Sequence, residues 1–215
     1  MKMRQQSGFT LVEIASVLVI IGLLLGGILK GQELIENSRV TNAVNDINGT
    51  SAAVNAYLDR YRRLPGDDGN QAALNARGTA WQNVTAGNNN GVLNITAAQT
   101  FSGAGENDNF FQHLRAAGFI NGDASLAGAN ALPRNPWGGL LGVTATGVTG
   151  MTGRAVCLSQ VPGKAATAID NRLDDGIPQS GSIRATQGTV GVNTAPGAAA
   201  TAYSEDQVYT ICSLL

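Results

Sequence analysis

The stretch Gly8-Phe9-Thr10-Leu11-Val12-Glu13 opens an apolar run that ends only at Leu29. Phe9 to Leu29 is 21 residues long, and Glu13 is its one charged side chain. As a helix the run spans about 30 Å, the thickness of one hydrocarbon core. A helix that is apolar all round belongs in a deep core or in lipid. At the very N-terminus of a chain this size, lipid is favoured. Lys2 and Arg4 lie in the short polar leader before the run. They predict a cytoplasmic N-terminus and a translocated C-terminal bulk. A cleavable secretory signal has a shorter apolar region and a small-residue cleavage site. Here Lys30, Gln32, Glu33 and Glu36 continue a helical pattern instead.

Glu13 is the costly residue. An acid inside a membrane segment ordinarily faces a partner or a watery cavity. Lys30 is 17 positions away, about 25 Å along a helix, and out of reach. The counter-charge must come from outside the chain. A cut after Gly8 turns Phe9 into an amine at the membrane surface. A neighbouring copy can then present that amine to Glu13, which points to assembly of like subunits.

Gly8-Phe9-Thr10-Leu11-Val12-Glu13, between a basic leader and a long apolar helix, resembles the N-terminal signature of type IV pilins and pseudopilins. The resemblance implies that a prepilin peptidase cleaves between Gly8 and Phe9 and N-methylates Phe9. It implies that Glu13 neutralises the N-terminus of an adjacent subunit during assembly on an inner-membrane platform. Gly31-Gln32-Glu33-Leu34-Ile35-Glu36-Asn37, Leu64-Pro65-Gly66-Asp67, Leu173-Asp174-Asp175-Gly176-Ile177-Pro178 and Gly181-Ser182-Ile183-Arg184-Ala185 are further similar stretches. Many pilins carry a proline partway along the helix, and this segment has none. Gly22, Gly26, Gly27 and Gly31 are its weak points or its close-packing points.

Beyond the membrane, Val40, Val44, Ile47, Ser51, Val54, Leu58 and Tyr61 repeat at helical spacing and predict one core-facing stripe. The helix is expected to end near Arg63, since Pro65 disfavours helix at Leu64. Arg60, Arg62 and Arg63 suit the negative end of the helix dipole. The resulting division is a leader over 1–8, a membrane or filament-core helix over 9–29, its continuation over 30–64, and a loop-rich domain over 65–215.

In that last part, Asn107 to Ile120 predicts a short amphipathic helix that buries Phe110, Phe111, Leu114 and Ala117 and stops at Gly118. Leu140–Thr146, Arg154–Val161, Ser182–Thr186 and Gln207–Cys212 read as strands, and Ala165–Leu173 as a helix. Short connections favour antiparallel pairing. The expected fold is α+β: a long N-terminal helix packed against a small antiparallel sheet. Trp81 and Val92–Ile95 suggest small packed pieces in the loops, and Asn88-Asn89-Asn90-Gly91 a turn.

Two cysteines, Cys157 and Cys212, travel with the exported part. An oxidising compartment favours a bridge between them over two separate thiols. The 54 enclosed residues would make it worth about 4 kcal/mol on a chain-entropy account. Asp170, Asp174 and Asp175 precede Gly176. Closely spaced acids suit calcium, and related pseudopilins hold calcium in a C-terminal loop. The same acids also fit a solvated Asp-Gly turn. Asp67 and Asp68 read as turn residues, and the lone His113 as a surface or structural group.

Charged residues are 13% of the chain and the net charge is −1. Loss of Lys2 and Arg4 with the leader makes it −3, with no electrostatic footprint for nucleic acid. No nucleophile elbow, phosphate loop or histidine pair occurs, so catalysis is not expected and no cofactor beyond calcium is implied. The expected function is a structural subunit of a type IV pilus-like filament, with copies of itself or related pilins as partners. It would wait in the inner membrane as a precursor and end in a cell-surface pilus. A pseudopilin of a type II secretion system, in a periplasmic pseudopilus, is the alternative. A membrane-anchored exported binding module that never polymerises is a third reading.

Overall fold

The computed structural model describes residues 10–103 and 105–215. Its first element, α1, runs from Leu11 to Tyr61. No proline interrupts the sequence until Pro65. The helix ends two residues before the expected Arg63 because Arg62 adopts a left-handed conformation, φ 56°. Two compact units divide after Ser38.

In the first unit the apolar side chains of α1 find no core. Leu11 is 90% exposed and Leu23 73% exposed. An 18-residue window of this helix has mean hydropathy 2.5, and none of it is buried. The helix is continuous through Gly22, Gly26, Gly27 and Gly31.

The second unit starts at Arg39 and holds the core. The later half of α1 buries Val40, Ala43, Ile47, Thr50, Ala53, Val54 and Tyr57. This corrects the expected stripe. Val40, Ile47 and Val54 are in it, but Val44, Leu58 and Tyr61 are only half-buried on its flank. The second buried row is Ala43, Thr50 and Tyr57, seven apart. Small and hydroxyl-bearing residues give a weak hydropathy signal, so a stripe drawn on large apolar residues lands to one side of the true face.

The sheet contains β1 (Leu141–Thr144), β2 (Ala155–Pro162), β3 (Ile183–Gln187) and β4 (Val208–Leu214). Its order is β1-β2-β4-β3, and every pair is antiparallel. Between β2 and β3 the chain forms α4 (Gly163–Leu173), which packs on β2, β3 and β4. Helix α3 (Glu106–Ala116) contacts β1. The central strand β2 is buried continuously from Ala155 to Ser159, so both of its faces are covered. Cys157 stands opposite Cys212 in the β2–β4 register, and the two are disulfide-bonded.

The long stretch between α1 and α3 contains α2 (Gln71–Asn75) and short 3-10 turns, and no strand among the described residues. Trp81, Leu93 and Ile95 are buried there, as small packed pieces require. Asn89 and Gly91 take positive φ in the expected turn. Helix α3 stops at Ala116, ahead of Gly118 at φ 77°. Phe110, Phe111 and Leu114 are buried as expected, while Ala117 is half-buried. Its polar residues Asn107, Gln112 and His113 are buried too, which an amphipathic reading did not foresee.

Candidate assembly site

The N-terminus of α1 is built by two side chains three positions apart. The Thr10 carbonyl accepts the first intrahelical bond, from Ile14 N–H at 3.3 Å. Glu13 Oε2 accepts from Thr10 N–H at 2.7 Å and from the Thr10 hydroxyl at 2.8 Å. Thr10 Oγ1 in turn accepts from Glu13 N–H at 3.3 Å. This is a reciprocal capping box, and it satisfies backbone donors that a helix end leaves open. Glu13 is otherwise exposed on a helix whose neighbouring side chains are all apolar or small. Its only partner among the described residues is thus its own cap. Thr-x-x-Glu is legible in the sequence and was the missed signal. Gly8 and Phe9, the expected cleavage pair, lie outside the described residues. The apolar surface runs on past Leu29 to Leu34 and Ile35, 61% and 57% exposed. Lys30 and Glu33 form an exposed ion pair at 2.7 Å between them.

The second unit carries the other expected groups. The carboxylates of Asp170, Asp174 and Asp175 come within 4.8 Å of one another. Protein donors already occupy most of their oxygens. Asp170 Oδ1 accepts from Gly176 N–H and Oδ2 from the Tyr203 hydroxyl at 2.7 Å. Asp174 Oδ2 accepts from Ile183 N–H at 2.8 Å. Asp175 accepts from Ile177 N–H and the Ser180 hydroxyl. Burial pushes the Asp170 carboxyl up, against the pull of those donors. Calcium wants six to eight oxygens, and among the described residues five of these six carboxylate oxygens already accept from a protein donor. The trio ties the α4–β3 loop together. Gly181, at φ 70°, passes so close to Asp174 that a Cβ would stand 1.9 Å from Oδ2.

Asp67 and Asp68 are more than turn residues, since both are 2% exposed. Asp67 accepts from Asn90 N–H and Gly91 N–H and so closes the Asn88–Gly91 turn. Asp68 Oδ2 accepts from the Tyr57 hydroxyl and from Arg77 Nη1, each at 2.7 Å. The Arg77 guanidinium lies over the Tyr61 and Trp81 rings, 4.4 and 4.8 Å from their centroids. Burial and the Asp68 bond push the Tyr57 phenol well above its ordinary range.

His113 is fully buried beside this pair. Its Nδ1 accepts from Gly66 N–H at 2.9 Å, which leaves Nε2 as donor to the Thr85 carbonyl at 2.9 Å. Both nitrogens are thereby committed, and burial holds the imidazole down to about 4. It is a structural histidine.

The prokaryotic N-terminal methylation motif matches residues 3–29. That motif is the type IV pilin and pseudopilin signature. No curated protein matches the chain.

Proposed function

We propose that this pilin-like chain is a structural subunit of a type IV pilus-like filament. The precursor sits in the inner membrane through the first half of α1. Prepilin peptidase removes residues 1–8 between Gly8 and Phe9 and methylates the new Phe9 amine. An assembly platform then lifts the subunit into a fibre, where the apolar faces of neighbouring α1 helices bury one another. One observation carries this reading: the methylation motif, over residues 3–29, covers the start of an apolar helix whose 18-residue membrane-length window has no buried residue among those described.

Within the fibre, Glu13 meets the Phe9 amine of a neighbour. The Thr10 cap holds the carboxylate of a lone subunit, and the amine takes it over on assembly. A buried charge pair is costly to desolvate, so its value lies in fixing axial register more than in net stability. The work is structural, and no cofactor is needed for it.

Intact-mass measurement of the chain from membrane and sheared-surface fractions tests the proposal. The expected species starts at Phe9 and carries one methyl group. Electron microscopy of the sheared fraction should show fibres containing this chain; a periplasmic-only pool would assign it to a secretion pseudopilus instead. A functional monomer that retains its first eight residues would overturn the filament reading.

A further inference from the structure

Asparagine followed by glycine occurs three times, at Asn48-Gly49, Asn90-Gly91 and Asn121-Gly122. A glycine nitrogen, with no Cβ beside it, reaches the preceding side-chain amide carbon wherever the backbone is free to turn. We propose that Asn121 is a site of self-modification, at which the Gly122 nitrogen displaces ammonia from the Asn121 side chain. The Gly122 nitrogen gives its proton to water and bonds to Asn121 Cγ. The Cγ–Nδ2 bond breaks, and the departing nitrogen takes a proton from water and leaves as ammonia. Water then opens the cyclic imide at either carbonyl, giving aspartate or its β-linked isomer, isoaspartate. The net change consumes one water and releases one ammonia, with no oxidant or reductant.

The fold selects among the three pairs. Gly49 lies inside α1, where its N–H is spent on the carbonyl one turn back and the backbone cannot turn. In the second pair, Gly91 N–H donates to Asp67 Oδ2 at 2.8 Å, and Asn90 Oδ1 accepts from Val92 N–H at 2.9 Å. The attacking nitrogen and the carbonyl it would attack are thus both held, the first by a buried carboxylate. Asn121 and Gly122 are exposed, beyond the end of α3 and outside any helix or strand. Among the described residues, no hydrogen bond restrains the Asn121 side chain or the Gly122 N–H. Gly122 takes φ 125°, which glycine reaches without strain. The Arg115 side chain packs against it, with Nε 2.7 Å from where a Cβ would stand. That puts a positive charge near the nitrogen that must lose its proton. The product carboxylate also arrives among cations. Asn121 lines a cavity whose charged groups are Asp46, Arg115 and Arg134, so its conversion sets a second acid against the two guanidinium groups. The inference holds whether or not the chain polymerises.

The test incubates the full chain in lipid nanodiscs, at mildly alkaline pH, in water enriched in heavy oxygen. The water that opens the imide leaves one heavy oxygen in the product. Digestion in ordinary water then adds no label at these positions, so only conversion in the folded chain is counted. Cleavage after arginine places the three pairs on separate fragments, 40–60, 78–115 and 116–134. Fragment mass spectra locate the label. Asn121 should acquire it at least about tenfold faster than Asn90, the worth of one hydrogen bond to a carboxylate. Asn48 should stay unlabelled while α1 is intact, and the label at 121 should divide between aspartate and isoaspartate. In denaturant the gap between the three pairs should close, since each asparagine precedes a glycine. No label at Asn121, or label at Asn90 or Asn48 as fast as there, would overturn the proposal. So would a gap that persists in denaturant, which would make the neighbouring sequence, not the fold, the selector.

Discussion

Thr10 and Glu13 each accept a hydrogen bond from the other: the carboxylate takes the Thr10 N–H at 2.7 Å, and the hydroxyl takes the Glu13 N–H at 3.3 Å. The acid that the proposed function assigns to filament assembly therefore also caps its own helix. The two roles separate by mutation. Glu13→Ala removes both and should leave membrane insertion intact while abolishing or scrambling fibres. Thr10→Val removes only the hydroxyl's share of the cap and leaves the carboxylate free for a neighbour, so fibres should form. Sheared-fraction yield and micrographs of the two variants check this. Normal fibres from Glu13→Ala would limit the residue to capping.

Asp68 holds the Tyr57 hydroxyl and Arg77 at one oxygen while almost wholly buried. Breaking such a pair from one side strands the remaining groups. Asp68→Ala should cost about 3 kcal/mol in unfolding free energy. Tyr57→Phe, which deletes the hydroxyl's bond to Asp68 and the longer one it accepts from Arg77 and keeps the ring stack, should cost about 1–2 kcal/mol. Chemical denaturation of the full chain in nanodiscs measures both. Equal losses would mean that the Tyr57 hydroxyl's bonds, not the Asp68–Arg77 pair, carry the stability of this corner.

His113 makes stability depend on acid. Its folded value is about 4 against 6.5 when unfolded, so between those values the unfolded chain binds more protons. Stability is then complete above pH 6.5 and declines as pH falls toward 4. The ceiling is about 3 kcal/mol. The charges of Asp68, Arg77 and Asp67 act on the ring from nearby and modulate the loss without reversing its sign. Asp170, raised by burial, works the other way: its contribution is greatest when protonated and fades as pH rises through its folded value. Unfolding free energies at several pH values for His113→Asn and the parent isolate the imidazole. The variant should be weaker at pH 7 and flatter between 6.5 and 4. Parallel profiles would acquit His113.

Elements with strong local periodicity were legible in the sequence. The four strands, α4 and the pairing of Cys157 with Cys212 fall within a few residues of expectation because β-branched runs and turn residues bracket them. What stayed hidden was chemistry between distant residues. Asp67 and Asp68 sit beside Gly66 and Gly69, a local pattern that spells turn, yet their burial depends on Arg77, Asn90 and Tyr57. The buried polar side of α3 is equally invisible locally. Gln112 reaches Leu126, and Asn107 reaches Gln99 and Thr100. Such partners are chosen by the tertiary fold, and periodicity carries no trace of them. At the N-terminus the reverse held. The chemistry was local, in six consecutive residues, and it carried the function further than the fold did.

The acidic trio makes the last prediction. Asp170, Asp174 and Asp175 invite calcium by spacing, but five of their six oxygens serve the α4–β3 loop and Tyr203. A cation would have to compete with those donors for its ligands. Melting in excess calcium and in chelator should therefore agree to within about 1 °C, since a ligand that binds only the native state raises the midpoint. Asp170→Asn should destabilise by about 1–3 kcal/mol. Its amide keeps one oxygen for the Gly176 N–H and turns its NH2 toward the Tyr203 oxygen, so the charge-assisted bond from the Tyr203 hydroxyl is lost and that hydroxyl must turn away. If calcium instead raises the midpoint by several degrees, and Asp170→Asn abolishes that rise, the trio is a metal site and its hydrogen bonds are the ones the ion displaces.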